Sequence, residues 1–485
     1  MARPLNSLLT VASQHKISRR RALLVAGLSA LPIATTNAAD KARKGLLARS
    51  ADVESIQSRS KIVLELDGVL KFKEPNPKEG EALRSAEVKG KSTLEYYERS
   101  VLADAQAFAA SRDFTIARTE NWVDGSASSF ELDDKHRKIA AINNEGQWKQ
   151  YCPSASLSHR EVELIAAPVN TACLELLLPT EPAKPDASWK LSAEDAASVF
   201  NIEAVHKSEV TSRVTKVENG KATIEIKGSL DGTANSVPTH IDVKGSYQVS
   251  MGKQCALVTW VGIVLKEERS ISAMEPGFTV TARVRILRQE ATREGLLSRD
   301  ELAQLASKDD PGRWLTKLES LSGGYSMLAD RRWKMFADSG NQAILRMVEN
   351  NMVIAQCNIL HLAELEEGQQ LTLEGLQADI KAELGESFEQ FLESSEKLNA
   401  ANLRVIRVVA MGTREDVPIQ WIYSHISDDS GKRIALVYTM GGNVTDRFAA
   451  SDEQMTTTFK LVQRPTDDAP KSAPLLSQKP EKDVR

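Results

Sequence analysis

The densest alternation of apolar and polar positions lies between residues 403 and 440 and predicts three consecutive strands. Residues 404–411 are rich in β-branched side chains, which suit a pleated, packed surface. Gly412 breaks the run, and Pro418 stands where a strand can open without a ladder donor. In 419–426, Trp421 and Tyr423 share one face and Ile422 and Ile426 the other. Asp428, Asp429, Ser430 and Gly431 predict a turn. In 433–440, Ile434, Leu436, Tyr438 and Met440 share a face, while Ala435 and Val437 keep the other apolar. A sheet apolar on both faces needs cover on both. Leu373, Leu376, Ile380, Leu384, Phe388 and Phe391 recur at spacings of three and four, which predicts one long amphipathic helix over one face. A helix over 450–461 is expected on the other. Residues 333–336, 343–349 and 352–360 read as strands, the last two joined through Asn350 and Asn351.

The earlier chain is also strand-rich. Residues 62–72 read as a strand and 135–142 as another candidate, while 86–101, 106–118 and 126–132 are segments with a weaker signal. Ser158 with Glu161, and Ser298 with Glu301, are capping boxes; they predict a helix to 166 and a linking helix carrying Leu302 and Leu305. Ser192 caps another helix, with Glu194 and Asp195 in its first turn. Asn219-Gly220 between 209–218 and 221–230 is a hairpin turn, because both residues accept positive φ. Strands at 239–250, 256–266 and 277–287 follow. The expectation is an α+β chain. An antiparallel β-rich domain covers 61–290, as one curved sheet with a crossing helix or as two halves, 61–178 and 189–290. A linker spans 291–311, and an α-β-α sandwich with an antiparallel sheet covers 312–463. Residues 40–60 read as a flexible leader and 464–485 as a disordered tail.

Residues 1–39 change the picture. They hold no Asp or Glu, but Arg3, Lys16, Arg19, Arg20 and Arg21 precede an apolar run, 22–33, and small residues around Ala38 and Ala39. The run is too short to span a bilayer and suits a signal peptide. An uncleaved anchor and an organelle presequence are the other readings. Export to a periplasm or cell envelope is expected, with no transmembrane helix in the mature chain. Over 485 residues the net charge is −4 and no basic patch dominates, which argues against nucleic acid as a partner. The four cysteines form no CxxC. Cys152 and Cys173 are candidates for a disulfide in an oxidising compartment, whereas Cys255 and Cys357 sit in apolar strand patterns and read as buried thiols.

Three resemblances follow. Ser18-Arg19-Arg20-Arg21-Ala22-Leu23-Leu24 resembles the twin-arginine export signal, departing from it at Ala22. Trp333, Ile354-Ala355-Gln356-Cys357-Asn358, Pro418-Ile419-Gln420-Trp421 and Leu436-Val437-Tyr438-Thr439-Met440 occur in the order three strands, helix, three strands, helix. In that order residues 312–463 resemble the PsbP-like α-β-α sandwich, which implies a non-catalytic binding or assembly role. Leu174-Glu175-Leu176-Leu177-Leu178-Pro179, Ser188-Trp189-Lys190-Leu191, Gly228, Gly245 and Lys266-Glu267-Glu268-Arg269 resemble exported planctomycete-type proteins without an assigned activity, which implies a location only. The curved-sheet expectation is similar in architecture to carriers of the LolA kind, by analogy alone.

Chemistry is sparse. No GxSxG, HExxH, GxxxxGK[ST] or GxGxxG occurs, and the seven histidines form no metal-spaced pair. Four Ser-x-x-Lys strings lack the companion motifs of acyl-enzyme chemistry. Glu364, Glu366 and Glu367 read as a solvated turn. His425 precedes Asp428 and Asp429, and with Trp333, Trp421 and Tyr423 it outlines a possible ligand cleft; core packing beneath a helix is the plainer account of the aromatics. No residues mark a catalytic centre, a metal or a cofactor. The leading expectation is a non-enzymatic exported interaction or assembly protein with a protein partner. The second is a carrier of an apolar small molecule or lipid, which calls for a cavity of at least about 300 Å³ lined by Leu, Val and Ile. A hydrolase with an unfamiliar site, around His425 or His206, is the third.

Overall fold

A computed structural model describes residues 47–463, apart from 50–52, 74–82, 104–105, 145–146, 235, 252–254, 273–274, 309 and 367. The expected signal and tail lie outside the described residues. Antiparallel sheet dominates, with a minority of helix.

The first part of the chain builds β1 (Ser55–Lys73), β2 (Leu83–Ala103), β3 (Gln106–Val123), β4 (Ser126–Glu131), β5 (Lys138–Asn144) and β6 (Gln147–Tyr151). A crossover follows, with α1 (His159–Ile165), a 3-10 segment (Thr171–Leu177), β7 (Ser188–Lys190) and α2 (Ala193–Val199). Then come β8 (Ala204–Ser208), β9 (Thr211–Glu218), β10 (Lys221–Ala234), β11 (Val237–Met251), β12 (Ala256–Arg269) and β13 (Gly277–Glu290). The thirteen strands make one sheet, in the order β6-β5-β3-β2-β1-β13-β12-β11-β10-β9-β7, with β4 on β3 and β8 on β10. The two stretches meet where β1 pairs with β13, Ile62 opposite Ile286. The turn between β9 and β10 forms at Asn219 (φ 48°) and Gly220 (φ 73°), as its chemistry demands.

The crossover lies on the inner face of this sheet. Leu94 and Phe114 from one half, Ile224 and Val258 from the other, and Leu174 and Leu176 from the 3-10 segment share one buried cluster. The capping boxes at Ser158 and Ser298 are both formed. The leader expected over 40–60 is corrected in its described part: β1 already starts at Ser55. Leu47 is buried in the same cluster, and Arg49 pairs with Asp195 at 2.7 Å while donating to the Leu176 and Leu178 carbonyls at 2.5 and 2.8 Å. A charged side chain that can satisfy the open end of a 3-10 segment is held rather than free.

After β13, α3 (Arg299–Ser307) packs on the outer face of the sheet, with Leu302 against Val101 and Ala109. Next come β14 (Thr316–Ser320), β15 (Tyr325–Ala329), β16 (Trp333–Asp338), β17 (Gln342–Glu349) and β18 (Met352–Leu362). They are followed by α4 (Leu373–Leu384), β19 (Phe388–Leu398), β20 (Arg404–Arg414), β21 (Val417–Ser427), β22 (Arg433–Gly441), α5 (Thr445–Phe448), α6 (Ser451–Thr458) and β23 (Lys460–Leu461). A seven-stranded sheet runs β16-β17-β18-β22-β21-β20-β19, and β14, β15 and β23 form a small one. Ile380 of α4 covers Ile406, Val408 and Ala410 on one face of the larger sheet. On the opposite face Leu345, Leu436 and Tyr438 pack with Met327 of β15, Phe448 and Met455.

The helix expected through Phe391 stops at Leu384. Gly385 takes φ 53° and ends it, and Phe388 and Phe391 belong to β19. Both rings still pack on the α4 side of the sheet. Their spacing served the same apolar face by a different route, because β19 is bulged between Phe388 and Gln390 and between Phe391 and Glu393. Among the described residues no helix is long and apolar enough to cross a membrane.

Candidate functional site

Strand alternation directs Ile62 and Leu64 of β1 and Ser92 and Leu94 of β2 to the inner face of the large sheet. Leu64 stands opposite Ser92, Ser92 opposite Thr119, and Thr119 opposite Phe130, so one row crosses four strands. Helix α1 and the turn after it lie over that row. Between them is a cavity of about 240 Å³, walled by Ile62, Leu64, Leu94, Phe130 and Leu164, with Ser92, Thr119, Asn121, Arg160 and Glu163 as its polar members. It is smaller than a carrier site was expected to be, and its wall is mixed rather than wholly aliphatic.

The polar members have an order. Ser92 Oγ donates to Thr119 Oγ1 at 2.8 Å, and Thr119 Oγ1 donates to Asn121 Oδ1 at 3.3 Å. The relay ends on the Asn121 amide, whose N–H bonds are not taken by any other described residue. The Arg160 guanidinium lies 4.4 Å from the Phe130 ring centroid and makes no hydrogen bond or ion pair among the described residues. Arg269 stacks on Phe278 in the same way, at 4.7 Å, but is paired with Glu267 at 2.7 Å. Arg160 is exposed, so its N–H groups face solvent at the cavity rim.

Below the cavity runs a belt of buried charge. Arg112 donates to Glu98 at 2.7 Å and to Asn170 Oδ1 at 2.8 Å. Arg288 donates to Glu175 at 2.6 Å and to Ser58 Oγ at 3.0 Å. Thr171 donates to Glu98 at 2.8 Å, and the Tyr96 hydroxyl lies 2.8 Å from Thr171 Oγ1. Burial pushes the Tyr96 hydroxyl up to about 12. The Glu175–Arg288 pair ties the 3-10 segment to β13, and the Glu98–Arg112 pair, which joins β2 to β3, holds Thr171 and Asn170 by hydrogen bonds. Among the described residues, Glu175 Oε2, Arg288 Nη2, Ser60 Oγ and Ser100 Oγ are buried without a partner.

Helix α1 also meets the later part of the chain. Lys317 N donates to the Leu157 carbonyl at 2.8 Å, and His159 Nε2 lies 3.1 Å from Thr316 Oγ1. Burial, then Lys334 and Arg331, push the His159 imidazole down to about 4.

The cleft outlined from sequence does not form. Trp421, Tyr423 and His425 share the α4 face, where Trp421 and Tyr423 are core residues. Trp333 lies on the opposite face, edge-on to Tyr438 at 5.9 Å and Phe448 at 6.2 Å. Tyr438 pairs with Ile422, one residue out of phase with Trp421 and Tyr423, so the period of two separates them. His425 is 1% exposed and neither ring nitrogen has a partner. Its charged neighbours are Arg433 and Arg404 rather than Asp428 or Asp429, and burial lowers it to about 4. His206 lies 3.4 Å from Thr233 Oγ1 on an exposed strand. The disulfide expected between Cys152 and Cys173 is not formed: both thiols are free and buried. Cys152 faces Ser154 Oγ at 3.3 Å, whereas Cys173 accepts from Asn170 at 3.4 Å. Cys357 is free and buried, and Cys255 is half-buried. Among the described residues no group of His, Cys, Asp or Glu could hold a metal ion.

No protein-family model matches the chain, and no curated protein is similar to it. Two solved structures show partial likeness. One is the solution structure of the cyanobacterial PsbP protein CyanoP from Synechocystis sp. PCC 6803, at 10% identity over 32% of this chain and 95% of that one, with a TM-score of 0.25. The other is a crystal structure from Bacteroides thetaiotaomicron VPI-5482, at 11% identity over 30% of this chain, with a TM-score of 0.23. The match spans 48% of the length of that protein. Scores this low fall short of a shared fold.

Proposed function

We propose that this chain is a non-enzymatic binding protein that carries a small, largely apolar molecule in the cavity beneath α1. The cavity of about 240 Å³, below the size first expected of a carrier, supports this reading for a small ligand only, because it has an apolar wall and hydrogen-bonding groups at one side. Ligand sites commonly combine such walls with a few placed polar groups. The acid-free, arginine-containing stretch 1–39 supports a place of work in the periplasm or cell envelope. Native mass spectrometry of the protein purified from its own host tests the reading. Excess mass that is lost on denaturation, and that is absent from Leu94→Trp, is the expected outcome. A native mass equal to the bare chain, with a protein captured from the envelope instead, returns the reading to an assembly module and ends the carrier proposal.

A further inference from the structure

We propose that the molecule held in this cavity is a single-chain amphiphile with an anionic oxygen head, its chain against Ile62, Leu64 and Leu94 and its head on Arg160 and Asn121. This rests on the carrier reading and names its ligand. Three observations carry it. The relay Ser92 to Thr119 to Asn121 uses up acceptors in one direction and leaves a donor, the Asn121 amide, at its end. Arg160 is a second donor group, exposed at the rim of the cavity over the Phe130 ring, without a protein acceptor among the described residues. Arg269, the matching arginine on Phe278, is mostly covered and has its carboxylate in Glu267, whereas Arg160 is exposed and keeps its N–H groups towards solvent and the cavity mouth.

The site thus presents donors and asks for acceptor oxygens. A carboxylate, phosphate or sulfonate fits two convergent donors better than an alcohol does, since charge-assisted hydrogen bonds are the stronger ones. Glu163, one turn along α1, would oppose an anion, but it has Lys334 and Arg160 beside it as well as Glu275. The volume limits the chain. At ~30 Å³ per water-sized group, the cavity holds about eight such groups, so the end of a ten-carbon chain would extend from its mouth.

Binding of decanoate, decanol and decyltrimethylammonium by titration calorimetry tests this, using the native chain, Arg160→Met, Leu94→Trp and Thr119→Trp. One retained charge-assisted bond corresponds to about tenfold in affinity. Decanoate should therefore bind the native chain about tenfold more tightly than decanol. Arg160→Met should erase that difference while leaving decanol binding in place, and either tryptophan should block both. Equal binding of decanoate and decanol to the native chain, blocked by the tryptophans, would overturn the head-group assignment and leave the carrier reading standing. Tightest binding of decyltrimethylammonium would overturn it as well and move the head to Glu163. Binding that neither tryptophan affects, or no binding at all, would overturn both.

Discussion

The seven strands β16–β22 and the thirteen of the large sheet are covered in different ways. The smaller sheet has α4 on one face and β14, β15, β23 and α6 on the other, and both interfaces are apolar. Trp333, Leu345 and Leu436 there are fully buried. The large sheet has its inner face covered by one crossover between β6 and β8. That crossover is made of short pieces, α1, the 3-10 segment and α2, none longer than seven residues. Short pieces cannot lay an unbroken apolar stripe over many strands. What they leave is charge in one place, the Glu98–Arg112 and Glu175–Arg288 belt, and a cavity in another, under α1. Interiors are otherwise close-packed, so a space of this size needs an account. The contrast sets a sheet packed on both faces in the later part of the chain against one with a cavity and buried charge in the earlier part.

Breaking the belt should have the largest effect. Arg288→Met leaves Glu175 buried without its cation, and removing one partner of a buried pair costs about 3–5 kcal/mol. Urea melts should show that loss, and Arg288→Met with Glu175→Gln should recover part of it, since the uncompensated charge is gone. A second pair of variants sharpens the contrast between the cores. Leu345→Ala should cost about 2–5 kcal/mol, as expected in a close-packed interior. Leu64→Ala, half-buried on the cavity wall, should cost less than about 2 kcal/mol. Equal costs would remove the distinction between the two regions.

The imidazoles give a smaller, pH-dependent effect. His425 and His159 are both lowered to about 4 from 6.5. The folded state therefore resists protons that the unfolded chain accepts. Their contribution is fully present above pH 6.5 and is lost as the pH falls from 6.5 towards 4. His425→Leu should flatten that slope in melts at pH 7, 5.5 and 4.5. It should also raise stability at pH 7 by about 1 kcal/mol, because two buried nitrogens without partners are removed. Ser298→Ala, which removes one capping box, should cost about 1 kcal/mol and leave ligand binding unchanged.

Much of the secondary structure was legible because its signals are local. Asn219-Gly220 and the boxes at Ser158 and Ser298 work within four residues. The helix that overran into Phe388 and Phe391 shows where such signals end: apolar spacing does not distinguish a helix from a bulged strand on the same face, and only Gly385 marks the change. The site was not legible. Ile62, Ser92, Thr119, Phe130 and Arg160 come from five elements, and only the register of four strands brings them into one place. Glu98, Arg112 and Arg288 stand in strands without a local pattern that sets them apart from other charges. The one local hint is Thr171–Leu177, an apolar run with a single glutamate inside it, and that glutamate is the one bound to Arg288.

The pairing of β1 with β13 has a consequence for how the chain is made. Arg288 and Ser58 touch across 230 residues, and closing so long a loop costs about 5 kcal/mol of chain entropy before any contact repays it. Until residues 277–290 have been synthesised, β1 offers one unpaired edge and β12 another. A nascent chain therefore carries the β1 edge, able to accept a foreign strand, from the synthesis of β1 and β2 until β13 is made. Completion of the sheet is a late, non-local event, and such events make folding slow.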